Sequence, residues 1–119
     1  MHEIAMSLSE FERRRIAAIL ADYCERRVPA HVRDRVRMGF AFRGDTVTLH
    51  EEQPGFQDPT RWIRSPIAQF RRHKTTRAWQ LFWLDRNRRW HAYTLIPAAR
   101  EFVTLLQEVD RDSTRIFYG

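Results

Sequence analysis

Hydrophobic residues recur along the chain with two different periods, which predict a helix near each end and hairpins between them. Over residues 8–28 the apolar positions share one broad arc at 3.6-residue spacing, as in an amphipathic helix. These positions are Leu8, Phe11, Ile16, Ile19, Leu20, Tyr23 and Cys24. Two capping pairs, Ser7 with Glu10 and Ser9 with Glu12, mark its start, and Pro29 ends it.

Residues 35–52 change to the alternation of half-buried strands. Apolar side chains occupy every second position, at Val36, Met38, Phe40 and Phe42 and again at Val47 and Leu49. The triplet RGD at 43–45 reads as the turn of a hairpin. The segment EEQPGFQDP at 51–59 is expected to be a loop, because it contains two prolines and a glycine.

The dipeptide Ser65-Pro66 has the form of a helix start, with serine as the cap and proline at the first helical position. It predicts a short helix from Pro66 to about Arg72, with Ile67 and Phe70 facing inward.

A second hairpin is expected from strands 79–84 and 89–95, joined by the four-residue loop 85–88. With that loop length, Trp83 would face Trp90 and Phe82 would face His91. One face of this hairpin is then apolar core: Trp79, Leu81, Trp83, Trp90 and Ala92. The other is mixed, with Gln80, Phe82, Leu84, Arg89, His91, Tyr93 and Leu95. Whether Phe82, His91 and Tyr93 on that mixed face are exposed or buried stays open.

Pro97 is expected to start a final helix over residues 97–110, with Phe102, Leu105, Leu106 and Val109 facing the core. The apolar end Ile116-Phe117-Tyr118 is expected to dock on the domain or on a second copy. The pattern as a whole predicts an α+β fold: a four-stranded antiparallel sheet made of two hairpins, with the N-terminal and C-terminal helices packed on it and a short helix between the hairpins. We expect a single domain over 1–119, with residues 1–6 flexible.

Charge is concentrated in the second half of the chain. Residues 61–91 hold nine basic side chains and one acid, Asp85, within a chain of net charge +6. Such an excess is typical of proteins that bind polyanions, although a GC-rich genome would also favour arginine, and only Lys74 is lysine. Cys24 is the only cysteine, which excludes an internal disulfide and indicates a reducing, cytoplasmic location. No apolar run is long enough to span a membrane.

Three segments carry a family resemblance: SPIAQFR at 65–71, WQLFW at 79–83 and WHAY at 90–93. With them, the chain from about Phe11 onward resembles a family of small bacterial proteins known only as a domain of unknown function. The resemblance implies a short cytoplasmic bacterial protein. It implies no catalytic residues.

The aromatic and basic residues of the second half predict a non-catalytic surface for single-stranded RNA or DNA, because aromatic rings stack on bases and cations bind phosphates. The candidate residues are Arg71, Arg72, Lys74, Arg77, Phe82, Arg86, Arg88, Arg89, His91 and Tyr93.

Two other functions remain open. A protein-interaction module or homodimer would bury Phe82, Tyr93, Leu95 and Phe117 against another chain. A metal-free ribonuclease would need a base, an acid and cations near a phosphate, which His73, Lys74, His91 and Tyr93 supply by type. Neither a metal site, a cofactor nor a small-molecule ligand is predicted, since His50, Glu51 and Glu52 are the only dense cluster of ligand types.

Overall fold

A computed structural model describes residues 8–119, so the predictions made for Ser7 and for residues 1–6 lie outside it. Helix α1 spans Glu10–Arg27 and a short 3₁₀ helix spans Ala30–Val32. Five strands follow: β1 (Arg37–Arg43), β2 (Thr46–Pro54), β3 (Trp62–Arg72), β4 (Trp79–Leu84) and β5 (Trp90–Ala92). Helix α2 spans Phe102–Arg111. Neither helix has the length and apolar character of a membrane span.

The α+β class is confirmed, but the sheet has five antiparallel strands in the order β1-β2-β3-β4-β5, and the prediction of four strands was wrong. The missing strand is β3, where a short helix over Pro66–Arg72 was expected. Ala68, Phe70 and Arg72 are buried, whereas Gln69 and Arg71 between them are only half-buried, which is the alternation of a strand. Pairing with β2 and β4 on both sides therefore overrides the helix-start signal.

Pro66 fits the interior of the sheet because the ladder is irregular beside it. The β2–β3 register shifts between Leu49 and His50, so that Leu49 pairs with Ala68 while His50 pairs with Pro66. At such a bulge, the missing N–H of proline does not interrupt a regular series of hydrogen bonds. β2 itself runs to Pro54, so the loop predicted over 51–59 begins later than expected.

Both helices pack on one side of the sheet, which we call the core face. The Phe102 ring of α2 lies 4.6 Å from that of Phe70 and 5.2 Å from that of Trp79 between ring centroids. The Glu12 carboxylate of α1 accepts two hydrogen bonds from Nη1 of the buried Arg72, at 2.8 and 2.9 Å. The core stripe predicted for the last helix is confirmed, since Phe102, Leu105, Leu106 and Val109 are all buried.

The two helix starts depend on different local contacts. The Ser9–Glu12 pair forms the expected capping box at the start of α1. Pro97 does not start α2, because Ala99 instead bridges to Trp79 through two backbone hydrogen bonds of 2.7 and 2.8 Å. The helix can begin only after that bridge, at Phe102.

The C-terminal segment docks on its own domain. The Asp112 carboxylate accepts hydrogen bonds from the backbone N–H groups of Phe117, Tyr118 and Gly119, at 3.0, 2.9 and 3.2 Å. The Tyr118 hydroxyl lies 2.7 Å from the hydroxyl of Tyr23 on α1. The segment thereby closes over the core from the end of α2.

Candidate nucleic-acid interface

The side of the sheet opposite the helices, which we call the outer face, carries polar side chains in register across the three central strands. Gln69 pairs with Thr48 on one side and with Phe82 on the other. Arg71 pairs with Thr46 and with Gln80. Because paired residues share a face, these side chains form a continuous patch that neither described helix covers.

Arg71 is held in place at the centre of this patch. Its guanidinium carbon lies 3.8 Å from the centroid of the Phe82 ring. Its Nε donates a 2.7 Å hydrogen bond to the side-chain oxygen of Gln69, whose amide nitrogen donates to the Thr48 hydroxyl at 3.0 Å. Among residues 8–119, no acceptor for the two Nη nitrogens of Arg71 is present. These donors are thus oriented in advance for an anionic or carbonyl acceptor on a ligand.

A groove of about 740 Å³ runs beside Arg71 and Phe82. We call it the 71–82 groove, and its walls include His73, Lys74, Thr76 and Gln80. The 73–77 turn is fixed by the His73 ring, whose Nδ1 accepts the N–H groups of Thr75 and Thr76 at 3.1 and 3.2 Å. Lys74 is exposed on this turn.

The charge of this region is positive. Burial lowers the pKa of the Arg71 guanidinium, which nonetheless stays protonated at neutral pH. Among the acidic residues of the described strands, Glu52 lies on the outer face. Its carboxylate forms an ion pair with Arg64, whose Nη2 lies 3.2 Å from the Glu52 oxygen. An approaching anion therefore meets the charge of Arg71 and Lys74 without a competing carboxylate in the groove.

Arg72 and Arg77, both nucleic-acid candidates from the sequence, contact Glu12 instead. Arg72 points to the core face, where its side chain is 2% exposed and lies 2.8 Å from the Glu12 carboxylate. Arg77, on the 73–77 turn, lies 3.6 Å from the other oxygen of the same carboxylate. Arg72 in particular anchors α1 to β3, so it cannot reach a ligand on the outer face.

The predicted register of the second hairpin was wrong by one residue, so His91 and Tyr93 were predicted on the wrong face. Trp83 pairs with His91 and Phe82 with Ala92, where the four-residue loop had placed Phe82 opposite His91. The turn has five residues, 85–89, because the Asp85 carboxylate accepts the N–H groups of Asn87 and Arg89 at 2.8 and 2.9 Å. One extra residue moves every side chain of β5 to the opposite face.

His91 and Tyr93 consequently leave the face that carries Phe82. His91 stacks on Trp83, with ring centroids 4.6 Å apart, and its Nε2 lies 2.7 Å from the Asp85 carboxylate. Tyr93 is buried at 4% exposure and donates a 2.7 Å hydrogen bond to the Glu108 carboxylate. Its own chain buries Tyr93, so this ring is a core residue.

Three further candidates, Arg86, Arg88 and Arg89, are exposed in the turn between β4 and β5. Arg88 has a left-handed backbone, with φ of 64°. The turn follows Leu84, the last residue of β4, whereas the 71–82 groove borders this strand at Gln80 and Phe82. The ten candidates therefore divide into three groups. Arg71, Lys74 and Phe82 line the groove; Arg72 also lines it, but like Arg77 its side chain pairs with Glu12. The remaining five, Arg86, Arg88, Arg89, His91 and Tyr93, belong to the second hairpin and the core.

Sequence reasoning missed the polar partners of Arg71, namely Thr48, Gln69 and Gln80. The expected helix over 66–72 gave Gln69 and Arg71 no common face with Thr48. The alternation of Ala68, Phe70 and Arg72 with Gln69 and Arg71 was the signal that would have placed them on one side of a strand.

The groups considered for ribonuclease chemistry do not converge. His73 and Lys74 line the 71–82 groove, His91 is held by Asp85 in the second hairpin, and Tyr93 is buried against Glu108. In the described part of the chain, no three histidine, cysteine or acidic side chains lie together in a way that would hold a metal ion.

Comparison with known proteins identifies the family of the chain. No curated protein and no solved structure matches it significantly. A family model described as "Domain of unknown function (DUF3024)" matches residues 8–119. This match covers nearly the whole chain, and the protein therefore belongs to the DUF3024 family.

Proposed function

We propose that this protein is a non-catalytic binding module for single-stranded RNA or DNA, which it holds on the outer face of the sheet and in the 71–82 groove. The observation that carries the proposal is the fixed guanidinium of Arg71, stacked on Phe82 at 3.8 Å and hydrogen-bonded to Gln69. A guanidinium on an aromatic ring provides a flat cationic surface on which bases stack and phosphates bind.

The surrounding side chains suit the same ligand. Gln69, Gln80 and Thr48 supply donors and acceptors of the kind that pair with base edges. Lys74 adds a positive charge at one wall of the groove, where it would bind a backbone phosphate of the nucleic acid. An antiparallel sheet with helices on one face and an aromatic, polar opposite face is a surface on which single strands can lie extended.

A single strand fits better than a duplex. The patch spans three neighbouring β-strands, and its aromatic ring, Phe82, is half-buried between polar side chains. Only an unpaired base can turn its flat face toward this ring. The bases of a duplex are already stacked on one another and present only their edges. A cytoplasmic location agrees with this ligand and with the solitary, buried Cys24.

The alternative of self-association stays a prediction, but fewer residues are available for a dimer interface than the sequence suggested. Tyr93 and Phe117 pack against each other, with ring centroids 5.2 Å apart, within one chain. A dimer formed by the second hairpin would therefore use other residues, such as Phe82, Leu84 and the 62%-exposed Leu95.

The proposal is tested by titrating nuclease-free protein into labelled single strands of about 12 nucleotides, at about 50 and about 200 mM salt. Arg71→Gln is expected to weaken binding about tenfold at the higher salt and to lower the salt slope by about 0.7. Arg71→Lys keeps the charge but loses the stacked, forked guanidinium, so it is expected to restore the salt slope and only part of the affinity.

The matched control is the triple variant Arg86→Gln, Arg88→Gln and Arg89→Gln, which removes more charge from an exposed turn outside the groove. Its expected effect at the higher salt is smaller than that of Arg71→Gln alone. If instead the triple variant abolishes binding and Arg71→Gln leaves it intact, binding is through the second hairpin or through unspecific charge, and the proposal fails.

A further inference from the structure

Within residues 8–119 the sheet ends at β1, which has a neighbouring strand on one side only. β1 pairs with β2 from Arg37–Glu52 to Arg43–Thr46, and the described residues place no other strand against it. The other edge strand, β5, has only 3 residues, whereas β1 has 7. β1 is therefore the long free edge at which an extended chain can add to this sheet.

The hairpin geometry shows which residues face outward along this edge. A two-residue turn, Gly44-Asp45, makes Arg43 and Thr46 the closing hydrogen-bonded pair of the β1–β2 hairpin. Because hydrogen-bonded and non-hydrogen-bonded pairs alternate, the backbone groups of Arg37, Gly39 and Ala41 also face β2. Those of Met38, Phe40 and Phe42 face away from β2 and are the available donors and acceptors.

An apolar pocket lies beside this edge on the core face. It has a volume of about 350 Å³ and lies between the C-terminal half of α1 and β1. Cys24 and Val28 line it from the end of the helix, and Met38 and Phe40 line it from the strand. Three charged residues, Glu25, Arg33 and Arg37, also line it. The core-facing side chains of a strand added to β1 would stand next to Met38 and Phe40, at the mouth of this pocket.

The positive charges of β1 indicate what kind of chain can pair with it. Arg37 and Arg43 stand at its two ends on the outer face, with Gly39 and Ala41 between them. The Arg37 guanidinium carbon lies 3.7 Å from the centroid of the Trp62 ring, and its Nε donates to the Arg33 backbone oxygen at 3.4 Å, so its charge is held in place beside the edge. If a second copy paired antiparallel through its own β1, centred on Phe40, each Arg37 would stand opposite an Arg43. Like charges directly opposite one another destabilise a strand pair, so this arrangement disfavours self-pairing and favours an acidic partner.

We propose that the free edge of β1 is a strand-addition site for an extended acidic peptide segment of another protein. The peptide would alternate acidic residues, facing Arg37 and Arg43, with small apolar residues, facing the pocket beside Met38 and Phe40. Backbone hydrogen bonds give such a complex its affinity, and the alternating side chains give it specificity. The pocket beside this edge shares no lining residue with the 71–82 groove, and the proposal does not rest on nucleic-acid binding.

The test uses the full chain and a labelled probe peptide of seven residues, the length of β1, that alternates glutamate and valine. Its control replaces each glutamate by lysine and keeps the valines. The glutamate peptide is expected to bind with a dissociation constant below about 0.5 mM, and the lysine peptide at least about tenfold more weakly. The double variant Arg37→Glu and Arg43→Glu is expected to reverse this preference, and its melting temperature shows whether it stays folded.

A matched double variant, Arg15→Glu and Arg100→Glu, makes the same charge change at exposed positions away from β1 and is expected to keep the preference for the glutamate peptide. Equal binding of both peptides, or no binding of either at about 1 mM, overturns the proposal. So does a micromolar dimer in sedimentation that Arg37→Glu strengthens, because it would show that β1 pairs with a second copy.

Discussion

The guanidinium carbon of Arg71 lies 3.8 Å from the centroid of the Phe82 ring, and the two residues stand on neighbouring strands of the outer face. This contact joins a fixed cation to an aromatic ring on a side of the sheet that the described helices leave open. The other face of the same sheet packs against the helices and forms the core. The hydrophobic core and the candidate ligand surface therefore lie on opposite faces of the sheet.

The Phe82 ring is expected to support both stacking and the position of Arg71. Phe82→Leu keeps an apolar side chain and removes the ring, so affinity for a single strand should fall about five- to tenfold. Fluorescence anisotropy measures the change. Phe56→Leu is the matched control, because Phe56 is fully exposed in the loop after β2 and should leave affinity unchanged. Equal effects of the two variants would contradict a special role for Phe82.

Tyr93 is expected to contribute to stability and not to binding. Tyr93→Phe keeps the buried ring and removes the hydroxyl that donates to Glu108 at 2.7 Å, which should cost about 1–3 kcal/mol of unfolding free energy. Urea denaturation measures the loss, and affinity for oligonucleotides should not change. A stable Tyr93→Phe protein with weakened binding would instead place this hydroxyl in the ligand site.

The ion pair between Glu12 and Arg72 is expected to stabilise the contact of α1 with β3. Glu12→Gln retains the capping box with Ser9 and removes the charge opposite a buried guanidinium, at an expected cost of about 1–3 kcal/mol. Glu10→Gln is the control, because the Glu10–Arg14 pair is exposed and should contribute little. Similar losses of unfolding free energy in both variants would contradict the prediction that the buried ion pair contributes more than the exposed one.

The same carboxyl group predicts part of the acid sensitivity. Burial raises the pKa of Glu12, but the Ser9 backbone N–H and the Arg72 charge outweigh burial and hold that pKa below its usual value. Since the folded pKa lies below the unfolded one, the stabilisation is present above the unfolded pKa and is lost as pH falls through the folded pKa. In urea denaturation between about pH 6 and pH 3, Glu12→Gln should therefore flatten the decline. An unchanged pH profile would contradict this assignment.

His50 predicts a second loss of stability at milder acidity. The side chain is buried on the outer face against Gly39, where an added Cβ would lie 2.8 Å from His50 Nε2. Burial and the Arg64 charge lower the pKa of His50, against the opposing effect of Glu52. The unfolded chain then binds the proton first, so stability falls as pH drops below about 6.5 and levels off below the folded pKa.

The residue that tests this effect is His50 itself. His50→Gln should remove the decline in unfolding free energy between about pH 7 and pH 5, while His31→Gln, on an exposed 3₁₀ turn, should not. Gly39→Ala should destabilise the protein by about 1–3 kcal/mol, because the buried ring has little space to move away. A fully tolerated Gly39→Ala would mean that the ring moves freely.

Much of the fold could be predicted from the sequence where the hydrophobic period is strong. The first hairpin and the buried stripe of α2 are confirmed, because each buries one side of a regular element. The arc of α1 is confirmed at Ile16, Leu20, Tyr23 and Cys24, whereas Phe11, predicted on the same arc, is 76% exposed. The Ser65-Pro66 signal failed for a physical reason. It is a local preference, whereas pairing of β3 on both edges is a long-range interaction that no local pattern contains.

The candidate site could be predicted only in part. Arg71 and Phe82 were predicted as candidates from their residue types. Their contact depends on β3, a segment for which the sequence predicts a helix. His91 and Tyr93 were misplaced because Asp85 adds one residue to the turn, and such a side-chain contact decides the register of the whole strand. Residue types indicated a basic aromatic surface, and tertiary pairing decided which of them share it.

The most direct test of the proposed function is a nuclear magnetic resonance titration of the labelled protein with a single-stranded oligonucleotide, following backbone amides and arginine Nε–Hε groups. We expect small shifts at Tyr93 and along α2, and the largest shifts at five residues of the outer face and the groove: Gln69, Arg71, Lys74, Gln80 and Phe82. Shifts that concentrate at Arg86, Arg88 and Arg89, or no shifts at near-physiological salt, would show that a single strand does not bind at Arg71 and Phe82.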